Sequence, residues 1–453
     1  MSVKIQFLGG AGTVTGSKFL VDTGKTRIMV DCGVFQGLKE LRLLNWMPLP
    51  IDAASVDAVI LTHAHLDHTG YLPLFVKQGF RGHAYCTAPT KDLTQVILKD
   101  FAKIQEEDAE TANIKGFSKH KPARPLYDME DCQKGIGALT IAAANKWHHI
   151  GDCRFRFISS GHILGSAFVE LHAAGMRIVF SGDLGRRSPL ILHPPQGIQN
   201  ADVLVMESTY GDRLHSDVSP QKELGRLINE TVRRKGHVII PSFAVGRTQD
   251  ILYLLSRLQR QGKLSRVPIY LDSPMAVAAT EIFLRHAEWH KLKANDVLAL
   301  EKIAIMVRSA SESRGIIKSK RPSVVIAGSG MVAGGRVLAH LEERLPDRRN
   351  SVILVGYQAA GTRGRQLLSG TPEIKLQGKY VPVKAQVHDL SPLSAHADQG
   401  EILWWCRHFK KPPRFTFLVH GEPAASDSLR VKLRDTLGFE CFIPRPEETF
   451  TLD

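Results

Sequence analysis

The stretch LTHAHLDHTG, residues 61–70, sets His63, His65, Asp67 and His68 within six positions, directly after the apolar run VDAVIL at 56–61. A buried strand that feeds a tight polar bend lets several side chains converge on one point while the strand holds them rigid. Imidazole and carboxylate ligands without cysteine suit zinc and similar borderline ions, and they point to a catalytic metal rather than a structural one. One ion needs three or four ligands, so the bend can serve two ions if partners arrive from elsewhere. Three candidates follow apolar runs: His162 in SSGHILGSAF, Asp183 in FSGDLG and His420 in FLVHGE. Taken singly, each would more often be an ordinary turn residue or a histidine with satisfied hydrogen bonds.

At 453 residues the chain is too long for one core, and two or three domains are expected. Up to about residue 208 the sequence is dominated by short β-type runs such as KIQFLG, SKFLVDTG, FRFISSGHIL and MRIVFSGDLG. From 209 to 378 a different pattern repeats, as in GHVIIPSFAVGRTQDILYLLSRL and PSVVIAGSGMVAGGRVLAHLEERL. Each unit is an apolar strand, a small-residue turn and a helical run, the signature of a parallel sheet covered on both faces. After 379 the β-rich style returns. The expected organisation is one domain in two pieces, 1–208 and 379–453, with a parallel-sheet α/β domain at 209–378 inserted between them.

Composition narrows the partners. The formal net charge of +14 favours a polyanion, and nucleic acid is the commonest. Cys32, Cys86, Cys132, Cys153, Cys406 and Cys441 form no CxxC pair, which argues for reduced thiols in a cytoplasm over disulfides or thiolate zinc sites. The start reads as strand, glycine turn and strand rather than a signal peptide, and no run approaches the ~18 apolar residues of a membrane span.

Taken in order, VDCG, THAHLDHTG, GHILGS, SGDLG, MESTYGD, SAHAD and LVHGE resemble the metallo-β-lactamase superfamily. More narrowly they resemble its β-CASP branch, which includes the endonuclease subunit of cleavage and polyadenylation specificity factor and prokaryotic RNA-processing relatives. The resemblance implies an αβ/βα four-layer sandwich with an inserted β-CASP domain. It also implies two zinc ions. His63, His65 and His162 match the ligands of one, Asp67, His68 and His420 those of the other, and Asp183 the carboxylate that bridges both. Asp31 in VDCG matches a residue that supports the site by hydrogen bonding. Glu207, His396 and His420 match the acidic residue and the two histidines of the β-CASP motifs. Histidine at 420 resembles the RNA-processing members, since the DNA-repair members typically carry valine there.

The expected function is therefore a zinc-dependent ribonuclease acting on single-stranded RNA. Two metals about 3.5–4 Å apart can hold a bridging hydroxide for in-line attack at phosphorus. His396 is the candidate general acid, oriented by Glu207, and the expected products carry 3′-hydroxyl and 5′-phosphate ends. In the insert, Ser242, Arg247, Ser329 and Arg336 lie in strand-to-helix turns that suit phosphate. A homodimer is a further expectation. A DNA nuclease, a small-molecule metallohydrolase and a non-catalytic RNA-binding subunit stay open as alternatives.

Overall fold

A computed structural model describes residues 2–116 and 120–453. The chain divides into two compact units. The first comprises Met1–Pro189, Pro194–Leu214 and His396–Asp453, and the second Leu190–His193 with His215–Ala395.

The first unit holds two seven-stranded sheets. One runs in the order Thr449–Leu452, Val3–Gly9, Lys18–Asp22, Arg27–Val30, Ala58–Ile60, His83–Cys86, Leu139–Ile141. The other runs Cys441–Phe442, Phe415–Val419, Val203–Glu207, Met176–Phe180, Ala167–Ala173, Cys153–Ser159, His148–Ile150. Alternation decides what faces inward: in Val3–Gly9 and Cys153–Ser159 every second residue is buried. Ile5, Phe7, Phe19, Phe155, Phe157, Phe180 and Phe417 from both sheets share one core. Outside the first sheet a second core gathers Leu72, Phe75, Leu98 and Cys132 from the helices Leu72–Lys77, Ala88–Lys115 and Met129–Gly137. Outside the second sheet, Trp405 and Leu429 of the helices Gln399–Cys406 and Pro423–Leu437 pack on Phe168, Leu204 and Leu418. The layers are helix, sheet, sheet, helix, an α/β sandwich.

The second unit is built on a six-stranded sheet in the order Ile305–Met306, Ile269–Asp272, Val324–Ala327, Val238–Pro241, Ser351–Leu354, Gln386–Asp389, with every pair parallel. VIIP, VVIA and SVIL are buried throughout, as strands covered on both faces must be. The division differs from the 208/209 and 378/379 boundaries expected from sequence, and it falls at 214/215 and 395/396. The second shift arises because Gln386–Asp389 pairs parallel with Ser351–Leu354, setting Val352 against Val387 at the edge of the inserted sheet. This edge strand, QVHD, lacks the continuous apolar run of the inner strands of that sheet, so its sequence does not tell which sheet it joins. Five of the six cysteines are buried and all six are free thiols. Among the described residues, no helix is long and apolar enough to cross a membrane.

Candidate metal centre

Each residue of the centre stands at or just beyond the carboxyl end of a strand of the first unit. Asp31 follows Arg27–Val30 with φ of 59°, a left-handed turn that swings its side chain under the next strand. There its Oδ1 accepts from the Thr62 N–H at 2.8 Å and the Thr62 hydroxyl at 3.0 Å, and its Oδ2 meets His68 Nδ1 at 2.7 Å. His65 occupies the N-cap of a single helical turn, Leu66–Thr69, which carries Asp67 and His68. The bend is laced to its neighbours by backbone bonds from Ser17 N to Asp67 O, Cys32 N to His68 O and Val34 N to Leu66 O. The packing is closest at Gly33, where a Cβ would fall 1.6 Å from the Asp67 carbonyl oxygen. Gly33→Ala is therefore expected to displace the Asp67–His68 turn and destabilise the chain by about 4 kcal/mol or more, readable in urea unfolding; a loss below 1 kcal/mol would contradict this contact.

The opposite wall is set by His162, Asp183 and His420. His162 follows Cys153–Ser159 in a loop closed by the Ser166 hydroxyl, which accepts from the His162 and Ile163 N–H groups. Asp183 follows Gly182, whose φ is 47° and whose Cβ position lies 2.6 Å from the Thr62 side chain, so glycine is required there. His420 follows Phe415–Val419 with φ of 48°; its N–H donates to Gly10 O, and its Nδ1 lies 3.0 Å from the Thr209 hydroxyl.

The ligand atoms converge on Asp183 from two sides. Its Oδ2 lies 3.3 Å from His63 Nε2 and 3.2 Å from His162 Nε2, and His65 Nδ1 lies 3.2 and 3.3 Å from those same nitrogens. Its Oδ1 lies 3.3 Å from His68 Nε2 and 3.6 Å from His420, while His420 Nε2 reaches Asp67 Oδ2 at 3.2 Å. Two groups of atoms, each within 4.8 Å of one another, could hold an ion: His63, His65, His162 and Asp183, and then Asp67, His68 and His420. Two buried atoms, His68 Nε2 and Asp183 Oδ1, face each other at 3.3 Å and have no further hydrogen-bond partner among the described residues. Buried polar atoms without partners are costly in a finished core and are what a metal ion would satisfy. The residues present fit the metal.

Electrostatics agree. Burial holds His63 and His162 down and takes His65 to about 3, keeping these rings neutral with a lone pair to offer. Burial also opposes charge on His68, but Asp183 and Asp31 outweigh it and raise this ring; an ion held at its Nε2 would displace that proton. Burial would push Asp183 up, yet His420, His68 and His63 hold it well below the usual carboxylate range.

Beside this pair lies a third group of Asp183, Glu207 and His396. Glu207 is buried, with its Oε1 accepting from the Leu184 N–H at 2.5 Å. Its two oxygens lie 3.1 and 3.0 Å from His396 Nδ1, leaving His396 Nε2 on the side of Asp183 Oδ2, 3.9 Å away. Burial disfavours the imidazolium, but Glu207 and Asp183 outweigh it and raise His396 to about 9.

Sequence reasoning missed the supports. Thr62 and Thr209 fix Asp31 and His420, and their signal lies in LTH and STYGD, next to the ligands. Lys18 is buried and, among the described residues, forms no ion pair with a carboxylate; its Nζ donates to Gly16 O at 3.0 Å and Gly33 O at 2.7 Å, between the rings of Phe35 and Tyr71. Nothing in SKFLVDTG sets this lysine apart from a surface one.

The four residues chosen for phosphate belong to the second unit. Ser242 and Ser329 do follow adjacent parallel strands, Val238–Pro241 and Val324–Ala327. Their hydroxyls are used locally, Ser242 Oγ toward Phe243 O and Ser329 Oγ accepting from the Ala333 N–H. The arginines have internal partners as well: Arg336 binds Asp272 at 2.8 Å and the carbonyls of Val307 and Arg308, and Arg247 binds Asp250 at 2.8 Å and Leu393 O. Both guanidiniums brace the turns that carry them, because a buried or half-buried arginine needs an internal partner.

Family models match in sequence along the chain: a beta-lactamase superfamily domain at 19–238, a Beta-Casp domain at 248–367 and a Zn-dependent metallo-hydrolase RNA specificity domain at 380–444. Ribonuclease TTHA0252 of Thermus thermophilus is 37% identical over 428 residues, covering 93% of each chain. An RNase J-like protein of Methanocaldococcus jannaschii is 32% identical, covering 98% of each. The transcription termination factor FttA of the same organism is 31% identical over 98% of this chain and 70% of its own length. A crystal structure of an Enterococcus faecalis protein of unknown function, 15% identical, shares the fold with a TM-score of 0.53 over the whole of both chains. The chain belongs to the β-CASP branch of the metallo-β-lactamase superfamily.

Proposed function

We propose that this protein is a zinc-dependent ribonuclease that hydrolyses phosphodiester bonds of single-stranded RNA, in RNA processing or decay. The observation that carries the reading is Asp183, whose two oxygens face separate imidazole groups beside the His396–Glu207 pair. The RNA specificity model at 380–444 and the ribonuclease relatives support RNA as the substrate. The free thiols support a reducing compartment such as the cytoplasm.

His63, His65 and His162 would hold one zinc ion, Asp67, His68 and His420 a second, with Asp183 shared. Two such ions supply Lewis acidity for a phosphate oxygen and lower the pKa of water to near neutrality. Asp31 fixes the His68 ring through Nδ1, which directs Nε2 into the pocket. Glu207 does the same for His396, favouring a proton on Nε2 that is donated to the departing 3′ oxygen. The products would then carry 3′-hydroxyl and 5′-phosphate ends. In the second unit, Ser242 and Ser329 would turn backbone N–H groups toward phosphates, with Arg247 and Arg336 holding those turns in shape.

The test is incubation of the metal-replete chain with labelled RNA, labelled single-stranded DNA and the β-lactam nitrocefin. RNA cleavage is expected, falling to background when a chelator strips the metal and returning with zinc. Hydrolysis of nitrocefin or of DNA alone would overturn the reading.

A further inference from the structure

The outer face of the second seven-stranded sheet carries a basic and aromatic cluster that this chemistry does not use. Phe155 and Phe157 point into the core, so Arg154 and Arg156 of the same strand point away from it. Register sets Arg154 opposite His172, Arg156 opposite Glu170, and Arg177 of the next strand opposite His172. Glu170 is only 1% exposed, and it holds Arg156 at 2.7 Å, Arg177 at 3.2 Å and His172 at 3.1 Å. Trp147 lies 4.6 Å from the Arg154 guanidinium carbon and 4.9 Å from that of Arg156, with the His172 ring edge-on at 4.6 Å. Lys146 stands exposed beside it.

The face thus sets four cations, Lys146, Arg154, Arg156 and Arg177, against the carboxylate of Glu170, with Asp152 and Asp202 at its margin. Of the aspartates at its margin, Asp152 accepts from the Thr26 hydroxyl at 2.5 Å and Asp202 from the Arg177 backbone N–H at 2.8 Å. Burial is the main cause that lowers His172, so it adds no charge and accepts from Arg154 Nη2 at 3.2 Å. The cluster is also distant from the metal centre. Arg154 lies near the start of its strand and His162 beyond the end, a separation of roughly 17 Å along the strand to Ser159 alone.

We propose that this face is an exosite for single-stranded RNA, which rests on the ribonuclease reading given above. Phosphates meet Lys146, Arg154 and the outward N–H groups of Arg156 and Arg177, and a base stacks against Trp147, while another stretch of the same strand reaches the metal centre. RNA fits better than an acidic polypeptide because an indole flanked by two guanidinium groups, at 4.6 and 4.9 Å, offers a flat surface that bases use and carboxylates do not. Glu170 holds two of the forks in place, so little side-chain freedom is lost on binding.

The test compares the full metal-replete chain with its Lys146→Gln/Arg154→Gln double variant on an RNA of about four nucleotides and one of about thirty. The expected result is a KM for the long RNA raised about tenfold more than that for the short one, with the log–log salt slope of long-RNA binding reduced by about 1.4. Indole emission should be quenched by the long RNA, and this quenching should be lost in Trp147→Phe. An unchanged long-to-short ratio, or equal losses on both RNAs, would overturn the exosite. So would displacement of the long RNA by polyglutamate at matched charge, which would assign the face to an acidic protein. If the parent chain cleaves neither RNA, the ribonuclease reading itself fails, a result separable from all of these.

Discussion

Asp183→Asn is expected to lower RNA cleavage by at least about four orders of magnitude and to leave fewer than two ions per chain. The reasoning is geometric. Asp183 is buried, and its oxygens meet His63 and His162 on one side and His68 and His420 on the other. Asparagine keeps the shape but replaces one oxygen with an N–H donor and removes the only charge shared by both groups. An ion on the altered side would lose a ligand, and its neighbours would repel one another in a buried pocket without compensation. Metal analysis with a cleavage assay checks this, and a near-native circular dichroism spectrum separates it from misfolding. Two ions retained with activity within tenfold of the parent would exclude Asp183 as the bridge.

His396→Ala should produce the opposite combination, full metal content with cleavage lowered by about three to four orders of magnitude. His396 Nδ1 is tied to Glu207, and His396 belongs to neither proposed ligand triad. The loss should depend on the leaving group. A phosphodiester releasing p-nitrophenolate needs no proton, so the variant should lose far less on it than on RNA. Equal losses on both substrates would assign His396 to binding rather than proton donation. Glu207→Gln tests the same pair through pH. Glu207 raises His396, so its removal lets the ring lose its proton at lower pH, and the alkaline limb of kcat/KM should move down.

The loop at 61–70 was legible because its chemistry is local. Four residues of one bend supply three imidazoles and a carboxylate, and a single helical turn, Leu66–Thr69, carries two of them, Asp67 and His68. The strand-turn-helix pattern of the insert was equally readable, since strands buried on both faces are apolar throughout. The internal partners of Arg336 and Arg247 were not readable. A glycine-rich turn with an arginine looks the same whether the guanidinium awaits phosphate or is already bound to Asp272, which lies 64 positions away.

By itself, then, the amino-acid sequence determined which side chains can bind metal, which stretches alternate as half-buried strands and which run apolar through a covered sheet, because these depend on neighbours in the chain. Only the tertiary structure decided that Asp183 divides its oxygens between two groups, that Gln386–Asp389 joins the inserted sheet, and that Lys18 and Thr62 stand behind the metal loop. The same holds for the cluster at Trp147, assembled from three strands and a preceding turn. Contacts between residues far apart in sequence depend on register and strand order, and side-chain period alone leaves both undetermined.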